Sequence, residues 1–117
     1  DTTFRSDISS MDVSNVRNMA SMFSGSLEFN QDISGWNTGN VERMDEMFRG
    51  ARRFDADISG WETAKVDDMS KILEGAVKFD RDISGWELPP WYGRKDMIRG
   101  AHTLLKNCEK YECWKFS

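Results

Sequence analysis

The chain has 117 residues and a formal net charge of −4, and its 38% hydrophobic and 12% aromatic content is too high for a disordered chain. Residues 1–88 hold 10 basic and 17 acidic side chains, whereas residues 89–117 hold 6 basic and 3 acidic ones. The acidic body disfavours general attraction to nucleic acid or anionic lipid. No apolar run approaches the roughly 18 residues of a membrane span, and no signal peptide opens the sequence. We therefore expect neither nucleic-acid binding nor membrane insertion.

One stretch recurs along the chain at a fixed spacing of 25 residues. Residues 29–36 read Phe-Asn-Gln-Asp-Ile-Ser-Gly-Trp, and close copies occupy residues 54–61 and 79–86. A partial copy lies at residues 4–11. Self-similarity with such a period is typical of a solenoid or array. We predict a single repeat domain over residues 1–117, with coils that start near residues 4, 29, 54 and 79.

The first part of each repeat has the character of a short strand. In residues 32–36, Ile33 and Trp36 occupy the apolar positions, and turn-forming residues lie on both sides. Short segments with this composition are typical of β-strands.

The second part of each repeat has the spacing of a short helix. The spacing of Val16, Met19, Met22 and Phe23 predicts one face of a helix of one or two turns, 3₁₀ in part. Gly25 follows where a left-handed C-terminal cap favours glycine. An extended piece over residues 16–19 is the alternative.

Exposed columns of the repeat alternate in charge, as Arg49, Glu74 and Arg99 illustrate. Stacking in register would set opposite charges together, and each exposed pair is worth about 0.2–1 kcal/mol. The alternation therefore favours register control on a solvated face.

The last part of the chain departs from the pattern. Pro89, Pro90, Trp91 and Tyr92 replace the usual residues at their positions, and a terminal repeat has no neighbour to cover its outer face. We interpret residues 87–117 as an atypical C-terminal cap. The first repeat shows no such change, which suggests that further coils, or another domain, precede Asp1.

The repeated Phe-Asn-Gln-Asp-Ile-Ser-Gly-Trp motif, followed by Val-x-x-Met-x-x-Met-Phe-x-Gly-Ala, resembles the BspA-like bacterial surface-protein repeat family. The resemblance covers roughly residues 4–101. It implies a leucine-rich-repeat fold, so that the predicted architecture is a short right-handed β/α solenoid. It also implies a secreted or cell-surface protein that acts in adhesion or protein binding. Fold kinship alone does not specify a ligand.

The repeated aspartates have two interpretations. A column of carboxylates attracts calcium, although one aspartate for each coil is few ligands for that ion. Alternatively, each carboxylate accepts backbone N–H groups and holds its own turn, which we prefer. The column consists of Asp7, Asp32, Asp57 and Asp82.

The repeated tryptophans also have two interpretations. They form either an exposed strip for sugars or partner proteins, or a core ladder whose indole N–H groups reach carbonyls, which we prefer. The column consists of Trp36, Trp61 and Trp86. Trp91 and Trp114 lie outside it and are better candidates for exposed contacts.

The only two cysteines, Cys108 and Cys113, lie in the terminal coil. We favour a disulfide between them, which suits an oxidising compartment. The alternatives are a zinc site with His102, which lacks a fourth ligand, and two reduced thiols.

The sequence contains no nucleophile motif and no phosphate-binding loop, so we predict neither catalysis nor a cofactor. We predict a non-catalytic adhesion module, extracellular or at a cell surface, with a protein or glycan partner. Candidate binding residues are Arg52, Arg53, Lys78, Trp91 and Trp114. The alternatives are a structural spacer or capping piece of a longer stalk, and a targeting domain for an enzyme outside this chain.

Overall fold

A computed structural model describes residues 6–116 of the chain, and regular secondary structure is confined to the end of that range. Two α-helices occur there, α1 (His102–Lys106) and α2 (Cys108–Tyr111). Two 3₁₀ helices span Trp91–Gly93 and Cys113–Phe116. The described residues form no strand, only isolated parallel bridges that join Asn18 to Arg43 and Arg43 to Asp68. The predicted right-handed β/α solenoid of leucine-rich-repeat type is therefore wrong.

The segment predicted as a strand is a turn. The N–H of Trp36 donates to the carbonyl of Ile33 at 3.1 Å, which reverses the chain at Ser34 and Gly35. The carboxylate of Asp32 accepts the N–H of Ser34 at 3.0 Å and the hydroxyl of Ser34 at 2.6 Å. An aspartate that bonds two residues ahead favours a turn over a sheet ladder, which explains the difference.

The segment predicted as a helix is a series of tight turns. Met22 N–H donates to the Met19 carbonyl at 3.3 Å, and Ser24 N–H donates to the Ser21 carbonyl at 3.1 Å. Ser21 has a φ of 59° and Gly25 a φ of 72°, so the right-handed helix cannot propagate past Ser21. The left-handed glycine is as predicted, whereas the left-handed serine is not. The same conformation recurs at Glu46, Lys71 and Asp96 and at Gly50, Gly75 and Gly100.

Hydrogen bonds that run from each repeat to the next join the repeats. Along residues 44–50, alternate N–H groups donate to carbonyls 24 residues later, at 2.8–2.9 Å. The donors are Met44, Glu46, Phe48 and Gly50, and the acceptors are Asp68, Ser70, Ile72 and Glu74. Between these donors, the N–H groups of Met47 and Arg49 donate to the carbonyls of Met44 and Glu46 and close local turns. Residues 19–25 and 69–75 repeat this arrangement, so every pair of neighbouring repeats is connected in the same register.

Aromatic rings fill the space between the two halves of each repeat. Phe48 stacks on Phe54 with ring centroids 4.0 Å apart and planes 6° from parallel. Phe54 in turn lies between Phe29 and Phe79 of the adjacent repeats, at 5.9 Å and 5.6 Å. These rings are fully buried. Repeat spacing in the sequence therefore becomes a continuous aromatic core.

Ser26 has the one buried polar side chain that lacks a hydrogen-bond partner among the described residues. Its hydroxyl occupies the column that holds Ala51, Ala76 and Ala101, each of them fully buried. A buried hydroxyl that has no partner costs about 1–3 kcal/mol.

Replacing this serine should therefore stabilise the protein. We expect Ser26→Ala to raise the free energy of unfolding by about 1 kcal/mol, measured by urea denaturation. The reverse change, Ala51→Ser, should lower it by a similar amount. A Ser26→Ala variant less stable than the parent chain would contradict the assignment.

Candidate binding surface at the last repeat

The C-terminal helices cover one half of the fourth repeat. Thr103 Oγ1 donates to the Val77 carbonyl at 2.7 Å, and Asn107 Nδ2 donates to Asp80 Oδ1 at 3.0 Å. The hydroxyl of Tyr111 donates to the Asp80 carbonyl at 3.1 Å. Burial raises the pKa of the phenol, and the side chain of Asp80 raises it further. The buried apolar side chains of this segment are Leu104, Tyr111 and Phe116.

A disulfide closes this segment. Cys108 and Cys113 are bonded, with Cα atoms 4.8 Å apart, as the sequence predicts. It links the start of α2 to the start of the final 3₁₀ helix, which carries the buried Phe116. The zinc alternative is excluded because both thiols are used in the bond. The bond therefore holds the final 3₁₀ helix, and with it the buried ring of Phe116, close to α2.

The other half of the fourth repeat begins with an unusual turn. Pro90 precedes the 3₁₀ helix, and the carbonyl of Gly93 accepts the N–H of Met69 at 2.7 Å. A Cβ at residue 93 would overlap the carbonyl of Asp67, so only glycine fits there. This turn leaves Trp91 82% exposed and Tyr92 60% exposed. Their centroids lie 5.8 Å apart, edge to face.

An open groove of about 370 Å³ lies beside this turn, and we call it the end groove. Its walls include Trp91, Arg94, Met97, Arg99, Cys113 and Phe116. Arg94 Nε donates to the Pro89 carbonyl at 2.6 Å, which fixes one guanidinium at the groove. Lys95 also lines it, and Asp96 supplies the single carboxylate. The groove thus combines an apolar floor with a positive rim, a composition suited to a partner with acidic and apolar groups.

The predicted basic cluster lies elsewhere on the surface. Arg52, Arg53 and Lys78 are all exposed, and the N–H of Lys78 donates to the Arg52 carbonyl at 3.2 Å. The described residues give these side chains no ion pair, and none of the three lines the end groove. Neighbouring repeats therefore bring the three cations together on an open surface.

The tryptophans of the repeat column are buried, in contrast to Trp91. Trp36, Trp61 and Trp86 are 4%, 5% and 6% exposed. The indole of Trp61 donates to the Ile33 carbonyl at 3.1 Å, and its ring stacks on Trp36 at 6.3 Å. Trp114, next to Cys113, is 65% exposed.

The aspartate column holds turns. Asp57 and Asp82 accept the N–H groups of Ser59 and Ser84, at 3.0 Å and 2.9 Å. In Asp32, Asp57 and Asp82 the serine hydroxyl, and then the serine N–H, hold the pKa below its ordinary value of 3.8. Within residues 6–116, no group of three or more His, Cys, Asp or Glu side chains is arranged to hold a metal ion.

The alternating column of Arg49, Glu74 and Arg99 forms one ion pair between repeats. Arg49 Nε lies 2.8 Å from Glu74 Oε1, and Arg49 also contacts Glu46 at 3.2 Å. The next arginine of the column, Arg99, lies 3.9 Å from Asp96 and keeps 74% of its side chain exposed.

Sequence reasoning does not identify Tyr92, Arg94 or Arg99 as candidate binding residues. Two column changes carry the signal: tryptophan replaces valine at residue 91, and arginine replaces methionine at residue 94. A charged or exposed aromatic residue in a core column indicates that the column has left the core.

Breaking the disulfide should loosen the C-terminal segment. For a loop this short, we expect Cys108→Ser with Cys113→Ser to lower the free energy of unfolding by about 2 kcal/mol in urea titrations. The parent protein treated with dithiothreitol should match the variant. Equal stability with and without the bond would show that it constrains nothing.

The aspartate turns should make stability depend on pH. Because their pKa values are lowered in the folded protein, their contribution is present above about pH 4 and is lost as pH falls. We expect the triple change of Asp32, Asp57 and Asp82 to Asn to reduce the fall in melting temperature between about pH 6 and about pH 3. An unchanged pH profile would contradict this role. Asparagine retains the turn-forming oxygen, so the variant should fold.

None of the helices within residues 6–116 has the length and apolar character needed to cross a membrane. Neither a curated protein nor a solved structure gives a significant match to this chain. A family described as Mycoplasma protein of unknown function, DUF285, matches residues 1–111, which include the repeats, the end groove residues up to Arg99, and Cys108. The chain therefore belongs to the DUF285 family.

Proposed function

We propose that this chain is a non-catalytic protein-binding module whose partner contacts the end groove. One observation carries the proposal: Trp91 is 82% exposed, whereas the tryptophans of the repeat columns are at most 6% exposed. Covering a large apolar ring that is exposed to water lowers the free energy, which favours binding of a partner there.

The composition of the groove supports a protein partner. Tryptophan, tyrosine and arginine are the residues that most often dominate the binding energy of protein interfaces. Trp91, Tyr92, Arg94 and Arg99 are all present at this end of the molecule. Trp91 and Ile98 supply the accessible apolar surface of the groove, and the buried Met97 and Phe116 lie beneath it. A glycan remains the alternative ligand for the exposed rings.

The cellular setting is part of the same proposal. The repeated motif supports a relationship to the BspA-like surface proteins, and the disulfide between Cys108 and Cys113 is typical of oxidising environments. Together they favour a secreted or cell-surface protein that acts in adhesion. Such a location would give the end groove access to proteins of other cells.

Two binding experiments test the proposal. The immobilised protein is titrated with extracts of surface proteins, and the soluble protein is applied to a glycan array. We expect saturable capture of a protein, and a loss of affinity of about 30-fold in Trp91→Ala, as for a central interface residue. Trp91→Phe, which keeps an aromatic ring, should retain most of the affinity.

The basic surface provides a matched control for the position of the site. Arg52, Arg53 and Lys78 changed together to Glu should leave capture unchanged, since they lie outside the end groove. Loss of binding in this variant alone would move the site to the basic surface. Absence of any saturable partner would reject the binding function and favour a structural spacer.

A further inference from the structure

The last repeat has backbone donors that no carbonyl meets. In the third repeat, the N–H groups of Lys71, Leu73 and Gly75 donate to carbonyls of the fourth repeat at 2.8–2.9 Å. The equivalent donors of the fourth repeat are Asp96, Ile98 and Gly100, which find no acceptor among residues 6–116. The C-terminal helices form hydrogen bonds with Val77, Asp80 and Ser84. Cys113 and Phe116 approach residues 94–99 only across the end groove. The edge is therefore open in the half that borders the end groove.

Side chains along this edge are also incompletely covered. Phe23, Phe48 and Leu73 of the same column are fully buried, whereas Ile98 is only partly buried. Ile98 is one of the residues that line the end groove. Asp96 keeps the left-handed conformation of its column, with a φ of 54°, although its N–H lacks the usual bond to a following repeat. The edge thus retains the geometry of an occupied one.

The side-chain charges along this edge indicate which group of a partner would complement it. Arg49 contacts Glu46 within its own repeat and Glu74 of the next repeat. Arg99 has the first type of contact, to Asp96, but nothing in the position of Glu74 among the described residues. Arg94 and Lys95 add two more cations to the same edge. A carboxylate is therefore the complementary group.

We propose that this edge binds a peptide segment of a partner protein that supplies three carbonyl acceptors and a carboxylate for Arg99. The inference rests on the proposed protein-binding function and names the chemistry of the partner. The carbonyls accept the N–H groups of Asp96, Ile98 and Gly100. An apolar side chain just before the acidic residue covers Ile98, which is only partly buried in the end groove. Recognition through main-chain bonds at an open edge, with side-chain pockets for specificity, is a general mode of peptide binding.

The chain itself contains a template for this peptide. Residues 68–74 fill the same place on the second repeat: four of their carbonyls accept bonds, and Ile72 and Leu73 are fully buried. Glu74 of this segment pairs with Arg49. A synthetic peptide that copies residues 66–76, with blocked ends, is therefore the probe.

Nuclear magnetic resonance titration of the full chain with this peptide tests the proposal. We expect saturable shifts at the amides of Asp96, Ile98 and Gly100, with slower hydrogen exchange there. The amides of Lys71, Leu73 and Gly75 are already bonded and should not change, which makes them internal controls. Shifts confined to other parts of the surface would overturn the proposal.

A charge exchange tests the role of Arg99. The peptide with Glu74→Arg should bind at least about tenfold more weakly, because two like charges then meet. The Arg99→Glu protein should bind the original peptide weakly and recover affinity for the Arg-containing peptide. Since Arg99 is largely exposed, this variant should remain folded. Binding that is insensitive to both changes would contradict the assignment of Arg99.

The two proposals can fail separately. Capture of a protein partner that Trp91→Ala abolishes, without peptide binding at the open edge, would keep the binding function and reject this inference. Peptide binding at the edge, together with protein capture that Trp91→Ala leaves unchanged, would keep this inference and reject the role assigned to Trp91.

Discussion

The structure depends on the direction of one set of hydrogen bonds. In each repeat, N–H groups at alternate residues, such as Met44 and Glu46, point to the next repeat, while the intervening ones close local turns. Because almost every polar backbone group in this segment is used, the repeats stack without a sheet or long helices. The left-handed residues are part of this arrangement. Their conformational cost of roughly 1–2 kcal/mol is offset when the same residue donates a bond to the neighbouring repeat.

The sequence predicts the repeat period, the disulfide and the left-handed glycines, because each leaves a direct mark on residue type and spacing. It does not predict the local conformation. Ile33 and Trp36 have strand-like composition, yet the carboxylate of Asp32 favours a turn. The left-handed position holds Ser21 and, in later repeats, Glu, Lys and Asp, so no residue type marks it. Contacts with a neighbouring repeat accompany that conformation, with the following repeat at Ser21 and with the preceding repeat at Asp96, and a local pattern cannot contain them.

The candidate site, like the fold, is only partly predictable from the sequence. Trp91 is visible as a break in a valine column, and its exposure follows from the turn that Pro90 and Gly93 produce. The open amides of Asp96 and Ile98 leave no mark on the sequence, because they are defined by what the next segment does not cover. The C-terminal helices cover one half of the last repeat only. Partial covering therefore protects the aromatic core and leaves one polar edge uncovered.

Most backbone bonds between repeats point in one direction, which gives the molecule an electrical polarity. Four peptide dipoles at each junction along residues 19–25, 44–50 and 69–75 point the same way, and a smaller number of bonds, such as that from Asp67 to Glu42, oppose them. Aligned N–H groups create positive potential where the series ends. In an α-helix the positive pole lies at the start of the chain segment, whereas here it lies at the last repeat. Every repeat added to such a stack would strengthen the attraction of that end for anions.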